Sequence, residues 1–310
     1  WRLEFASVLC CTCASAAGNS TERTPTMTES RIPYAQWIGR HEITDDDLGL
    51  APALAAAATF DDTVTPLGNG SALPPLWHWF YFLPKTPQAL LGVDGHPQRG
   101  GFMPPIPYPR RMFAGARLRF HRPLIIGQPA RREAVIRDIK EKSGRSGSLA
   151  FVSVLCRFYQ DGALCIEEEQ DIVYREPGPA VACPRVIEWP PLPSGVWSRI
   201  VQPEPRLLFR FSALTFNAHR IHYDRPYAIN EEGYPGLVVH GPLTAVLLME
   251  LLRRETAQAV LDYSFRGLAP LFDLAPFRLV GTLVDGRVSL EAQGPDGAAA
   301  MSASAELAPA

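Results

Sequence analysis

The chain has 310 residues, enough for about two domains of ordinary size. Its 30 basic and 32 acidic residues leave a formal charge of -2, and 46% of it is hydrophobic. That balance points to a globular protein with a sizeable core and excludes a nucleic-acid binder, which would carry a basic excess. No apolar run reaches the ~18 residues that span a bilayer.

Residues 1–26 differ from the rest. Phe5 to Ala17 is small and apolar, and Met27-Thr28-Glu29-Ser30 reads as a natural start. Residues 1–26 are expected to be a disordered leader or upstream extension. Cys10, Cys11 and Cys13 crowd this segment, whereas Cys156, Cys165 and Cys183 are scattered. Cys156 and Cys165 fall in strand-like runs and read as core. No CxxC stands opposite another, so no structural zinc is expected, and a reducing compartment is. This is the cytoplasm, or the mitochondrial matrix of a eukaryote.

Thr44, with Asp45, Asp46 and Asp47 behind it, predicts a helix start, and Leu48 to Phe60 follows as a helix interrupted at Pro52. Residues 61–76 are a loop. Trp77 to Leu83 is an aromatic strand candidate, and residues 84–113, rich in proline and glycine, are a long excursion. Strands are expected from Ala116, over Arg131 to Lys140, Leu149 to Tyr159 and Ala163 to Tyr174, with turns at Gly144–Gly147 and Asp161-Gly162.

Prolines are 30 of the 310 residues, about twice the usual ~5%, and eight of them lie in 176–205, which reads as a linker. Leu207 to Thr215 is a strand candidate. Pro242 to Ala259 is a helix apolar all round, hence buried. Four strands follow, at Leu261–Phe265, Phe277–Val284, Arg287–Ala292 and Ala298–Leu307. One long helix wrapped by an antiparallel meander is the hotdog arrangement, and the first half shows a weaker version of the same order. The expected fold is therefore α+β, a double hotdog. Its N-terminal domain spans 27–180, a linker 181–205, and the C-terminal domain 206–310.

The residues that carry chemistry cluster after position 210. Asn217, His219 and His222 fall within six positions, and Gly236-Leu237-Val238-Val239-His240-Gly241-Pro242 leads into the buried helix. Unpaired amides at a helix N-terminus sit in a positive field, so Gly241 marks an oxyanion site. His222 is the candidate proton-transfer group at neutral pH. Together they supply the parts for adding water across an α,β double bond of a thioester, or for removing it.

Residues 211–228 resemble the hydratase motif of the MaoC-like, or R-specific, enoyl-CoA hydratases and hydroxyacyl-thioester dehydratases. That motif runs Asp-x-Asn-Pro-x-His, with a small residue six positions after the histidine. His222 falls on the catalytic histidine and Ala228 on the small residue. His240-Gly241-Pro242-Leu243 is similar to the family's His-Gly-x-Leu stretch, whose glycine amide holds the thioester oxygen. The chain departs from the motif at three places: Asn217 stands at the usual aspartate, His219 at the usual asparagine and Arg220 at the usual proline. An amide cannot accept a proton as a carboxylate does. Asn217 therefore orients the water for His222, or Asp224 assists.

Phe216 to Asp224, Trp77-His78-Trp79-Phe80, Arg110-Arg111-Met112 and Lys142 to Gly147 narrow the resemblance to the subgroup of 3-methylfumaryl-CoA (mesaconyl-CoA) hydratases and mitochondrial type 2 dehydratases. The resemblance covers roughly residues 28–310. It implies a hydro-lyase that needs no cofactor and no metal, works on an acyl-CoA, and forms a homodimer, with no nucleic acid or membrane partner. It implies one site per chain, with the N-terminal half shaping the acyl pocket. His222, Asn217 and Gly241 are the catalytic candidates. Arg220, His219, Asp224 and His240 are the substrate-binding candidates, with Arg110 and Arg111 as further cations for a phosphate or carboxylate. The expected substrate is short, branched and dicarboxylic. A dehydratase of 3-hydroxyacyl thioesters in fatty-acid synthesis, a hotdog thioesterase, and a non-catalytic acyl-CoA-binding subunit are the alternatives.

Overall fold

The computed structural model describes residues 34–144 and 147–309. The expected leader at 1–26, with its three cysteines, lies outside these residues, as do Arg145 and Ser146.

Among the described residues, ten strands form one antiparallel sheet. They are β1 (His41–Asp46), β2 (Arg110–Phe120), β3 (Ala130–Gly144), β4 (Gly147–Gln160), β5 (Ala163–Arg175), β6 (Trp197–Val201), β7 (Val260–Gly267), β8 (Phe277–Val284), β9 (Arg287–Gln293) and β10 (Ala299–Leu307). Their spatial order is β1-β3-β4-β5-β2-β7-β10-β9-β8-β6. Read outward from the middle, each half has the same order, so the second half repeats the first. This repeat, with a helix threaded through it, is the double hotdog expected from the sequence.

The halves join where β2 pairs with β7, from Gly115 opposite Arg266 to Arg119 opposite Asp262. A Cβ on Gly115 would stand 2.4 Å from the Phe265 carbonyl oxygen, so glycine permits the close strand approach at the seam.

The helices are α1 (Leu50–Phe60), α2 (Pro205–Leu214), α3 (Arg225–Asn230) and α4 (Gly241–Glu255). Helix α4 starts on Gly241-Pro242, and every residue from Leu243 to Leu252 is buried. It contacts β2, β6, β8, β9 and β10, so the sheet wraps it. Each fully buried Leu or Met there stabilises the fold by roughly 1.5–3 kcal/mol. Its one buried acid, Glu250, accepts from Trp77 Nε1 at 2.8 Å and pairs with Arg253, at 2.8 Å. Burial of that carboxylate is thus compensated by two strong donors.

Four local expectations are corrected. Thr44 lies in β1 opposite Arg132 and caps no helix; α1 begins later, with Gly49 as its N-cap. Asp46 instead accepts from the amides of Leu48 and Phe82, both at 3.0 Å. Helix α1 runs through Pro52 unbroken, because proline in a first turn removes an amide that has no partner there. Trp77–Phe80 is a 3₁₀ turn, with Trp77 and Phe80 buried against Phe60. Core packing of the aromatics outweighs their strand propensity. Pro205–Leu214 is helix, with Leu208, Phe211 and Ser212 on its buried face at helical spacing.

The proline-rich 181–205 stretch contains β6, which pairs with β8 along Trp197–Val201. Cys156 and Cys165 are buried, as expected of core residues, and Cys183 is exposed.

Candidate active site

A cavity of about 980 Å³ opens between the two halves. The C-terminal half contributes Asn217, His219, His222, His240 and Gly241 to its lining. The N-terminal half contributes Trp79, Phe113, Gln170 and the cations Arg110 and Arg111.

The motif loop follows α2. Asn217 is held by a bond from its amide to the Ser212 carbonyl, at 2.8 Å. Its Oδ1 accepts from the His219 amide at 3.0 Å, which leaves the side-chain NH2 as its free polar group. A short 3₁₀ turn, Arg220–His222, then carries His222 into the interior.

His222 is 7% exposed, and its Nδ1 lies 2.7 Å from the Val238 carbonyl oxygen. A carbonyl only accepts, so Nδ1 carries the proton and Nε2 offers a lone pair to the cavity. Burial pushes its pKa down to about 4, the Val238 bond pulling the other way. His222 is therefore a neutral base at physiological pH.

His240 is the N-cap residue of α4 and is buried. Its ring stacks on His222, and its Nε2 lies 2.8 Å from Ser212 Oγ. Burial, then the neighbouring His222 and His219, hold it well below the ordinary histidine range. Beside it, Gly241 opens the helix, where first-turn amides have no intrahelical partner. The helix dipole adds to the pull of those amides on an oxyanion.

His219 is buried, and its pKa is driven far down by burial, then by His96, His222 and Arg111. Arg220 and Asp224, two candidate substrate contacts, do not line the cavity. Arg220 bonds Asp224 at 2.8 Å, reaches the Val93 carbonyl at 3.0 Å and covers the Tyr227 ring. Asp224 caps α3 by accepting from the Tyr227 amide at 3.1 Å. The pair is scaffold for the loop. Asp224 is thus not placed to assist His222.

Arg110 is buried and committed to Glu232, at 3.3 Å to the carboxylate and 2.6 Å to the backbone carbonyl. Arg111 is half-buried and lines the cavity, and its guanidinium has no hydrogen-bond or ion-pair partner among the described residues. A cation left unpaired in a largely apolar cavity is a ready anion site.

The aromatic wall is set from behind. Trp79 meets Phe113 and Phe265 edge-on at 6.0 and 5.9 Å. Its Nε1 donates to Glu168, a fully buried carboxylate that also lies 3.0 Å from His78 Nε2 and accepts from Gln170 at 2.8 Å.

Among the lining residues not singled out from the sequence are Ser212 and His96. Asp94, His96 and Gly95 belong to the Leu91–Pro97 turn within the 84–113 excursion. The signal available was an Asp-Gly-His triplet in a proline- and glycine-rich segment, which points to a turn and no further. Ligand atoms of Asp94, His96 and His219 fall within 4.8 Å of one another, a spacing a metal ion would use. Asp94 is already bonded to His96 Nδ1 at 3.0 Å, and the Arg111 charge acts on both imidazoles. The hydrogen bond accounts for the Asp94–His96 pair, and His219 meets His96 by ring contact, with centroids 3.9 Å apart.

The hydroxyacyl-thioester dehydratase type 2 family model matches residues 76–273. The chain is 66% identical over 278 residues to the mesaconyl-C(4)-CoA hydratase of Chloroflexus aurantiacus, covering 90% of this chain and 99% of that one. It is 29% identical over 235 residues to the mitochondrial hydroxyacyl-thioester dehydratase type 2 of Schizosaccharomyces pombe, covering 67% and 77%. The crystal structure of HtdX from Mycobacterium tuberculosis superposes with a TM-score of 0.63 at 18% identity, over 87% of this chain and all of that one. That likeness speaks for the fold alone. No helix among the described residues is long and apolar enough to cross a membrane. With a neutral imidazole base and a helix-end oxyanion site in one cavity, and with these relatives, the chain belongs to the hydroxyacyl-thioester dehydratase type 2 family and is a hydro-lyase.

Proposed function

We infer that the enzyme hydrates a short, branched, dicarboxylic enoyl-CoA of the 3-methylfumaryl type. The observation that carries this is Arg111, an unpaired cation in the same cavity as His222 and Gly241. A substrate with a carboxylate on its β carbon would pair with that guanidinium while its thioester oxygen meets the Gly241 amide. The Chloroflexus relative, 66% identical, is named for such a substrate.

In this reading Asn217 and His222 hold the water. His222 Nε2 takes a proton as the water oxygen bonds to the β carbon. Electrons move onto the thioester oxygen, where the helix-end amide stabilises the charge. The buried, largely apolar walls strengthen that interaction. The same reading carries a cytoplasmic homodimer; β1 and β6, the sheet edges among the described residues, are surfaces for such contact.

The test follows absorbance at the enoyl-thioester band with 3-methylfumaryl-CoA and, separately, crotonyl-CoA. Loss of signal with the dicarboxylic substrate, abolished in His222→Ala, is expected. Turnover of crotonyl-CoA alone would move the enzyme to 3-hydroxyacyl-thioester metabolism. Release of free thiol would mark a thioesterase, and binding without turnover an inactive subunit.

A further inference from the structure

Hydration takes one proton from water and delivers one to the α carbon. At position 217 this chain carries an amide, which does neither. A carboxylate does stand behind a histidine of the cavity wall, in the other half of the molecule. Asp94 Oδ2 lies 3.0 Å from His96 Nδ1, and its Oδ1 accepts the His96 amide at 3.0 Å. His96 lines the cavity with its ring centroid 3.9 Å from that of His219, and His219 in turn meets His222 edge-on at 5.2 Å. Asp94 thus takes Nδ1, and Nε2 is the nitrogen left for chemistry.

The turn that carries this pair is built onto the motif loop. Arg220 donates its amide to the Asp94 carbonyl at 2.9 Å and its guanidinium to the Val93 carbonyl at 3.0 Å. Gly95 has φ +90°, and a Cβ there would lie 1.8 Å from the Ala218 carbonyl oxygen. Backbone therefore meets backbone, and the pair's position relative to His222 is fixed by both halves.

We propose that His96, oriented by Asp94, is a second catalytic residue, which gives the α carbon its proton while His222 takes one from water. The proposal rests on the hydratase reading. Its steps balance. His222 Nε2 accepts a proton as the water oxygen bonds to the β carbon, and the π electrons move to the thioester oxygen. The enolate then re-forms the carbonyl as its α carbon takes the proton of His96 Nε2. The His222 imidazolium loses its proton to solvent, and His96 regains one.

Asp94 is the group that favours a proton on His96. Asp94 and Arg99 face it from its own excursion, Arg111 from β2, and His219 and His222 from the motif loop. Burial, with the Arg111 and Arg99 charges, holds its pKa below the ordinary histidine value, and Asp94 opposes that shift. Of the cavity histidines, it is the one with a carboxylate partner. His222, by contrast, stays neutral down to about 4.

The experiment measures hydration by wild type, His96→Gln, Asp94→Asn and His222→Ala across pH, with Tm recorded for each. A positioned acid contributes about 10²–10⁴-fold. His96→Gln is expected to lose kcat in that range, with KM within about threefold. The wild-type rate should fall as pH rises through the His96 pKa, and this alkaline limb should vanish in His96→Gln. Asp94→Asn keeps the turn's shape and should move the limb to lower pH, because loss of the carboxylate lowers the His96 pKa. A His96→Gln enzyme within about threefold of wild type in kcat, with an unchanged limb, would overturn the proposal. So would wild-type activity lost to a chelator and restored by Zn²⁺, which would make the cluster a metal site. If wild type itself fails to hydrate any enoyl-CoA, the hydratase reading beneath the proposal is what fails.

Discussion

The imidazoles of His222 and His240 stack face to face, with centroids 3.6 Å apart and planes 18° from parallel. Two charged rings at that distance would repel strongly, so the pair is stable only when neutral. An unfolded histidine protonates near 6.5, whereas buried His222 does so only at about 4. Between those values the unfolded chain binds more protons than the folded one, so stability rises with pH and is lost as pH falls. For His222 alone the loss at pH 4 is about 3 kcal/mol, from 1.36 kcal/mol per unit. Urea midpoints between pH 7 and 4 should fall for wild type and fall less for His222→Gln. Parallel curves for the two proteins would contradict this.

Ser212 Oγ is the partner of His240 Nε2, at 2.8 Å, and His240 Nδ1 is buried with none. Ser212→Ala therefore leaves both ring nitrogens unsatisfied. The cost is about 1–3 kcal/mol. The turn ahead of α4 should loosen with it, so KM for the acyl-CoA rises. Equal midpoints in urea for Ser212→Ala and wild type would show that His240 is held by stacking alone.

Arg111→Gln separates substrate charge from thioester chemistry. A charge-assisted bond to a carboxylate is worth about 1.5–3 kcal/mol. The variant should lose about 10–100-fold in kcat/KM with 3-methylfumaryl-CoA. With crotonyl-CoA, which has no carboxylate on its acyl group, the change should stay within about twofold. An equal loss on both substrates would place Arg111 at the CoA or in the scaffold.

Some of this was legible in the sequence. The ladder from β7 to β10 and the apolar α4 announce themselves by alternation and by helical apolarity, because each local pattern agrees with its burial. Leu207 to Thr215 misled because its short apolar run fits either period; Pro205 at the helix start was the overlooked sign. His222 and Gly241 were found through the resemblance and the helix start. Asp94 and His96 were not, since they lie over 100 residues from the motif and meet it only through tertiary docking. Arg220 and Asp224 looked functional by their place in the motif, yet their charges neutralise each other outside the cavity.

The docking of the two loops predicts a severe effect from the smallest substitution. Gly95→Ala places a methyl group at a position where 1.8 Å separates it from the Ala218 carbonyl oxygen, and it also requires φ +90° of alanine. One loop must withdraw, and with it either the Asp94–His96 turn or the Asn217–His222 segment. Gly95→Ala is expected to lower kcat at least about 100-fold, since displacement by about 1 Å has that effect on positioned groups. The core elements do not depend on this contact, so far-ultraviolet circular dichroism should be preserved. Full activity in the variant would mean that the turn does not need to touch the motif loop.

Glu168, on β5, holds the acyl wall from behind. Desolvation pushes its carboxyl up, but the bonds with His78, Gln170 and Trp79 outweigh that and hold it below the usual carboxylate range. A carboxyl lowered in the folded state stabilises the fold above its unfolded pKa of about 4.3, and this is lost as pH falls through the lower folded value. Glu168→Ala leaves the donors of Trp79 and Gln170 buried without an acceptor and should cost about 3–5 kcal/mol. Glu168→Gln retains an acceptor for Trp79 and should cost about 1–3 kcal/mol. With Trp79 freed, the wall it forms with Phe113 loses its fixed ring orientation. KM for the acyl-CoA should then rise more than kcat falls, and more in Ala than in Gln. Urea midpoints near neutral pH and in acid check the energetic part: wild type and Glu168→Gln should converge as pH drops. A constant gap between them at every pH would mean that the Glu168 charge contributes nothing, and that only its shape supports the wall.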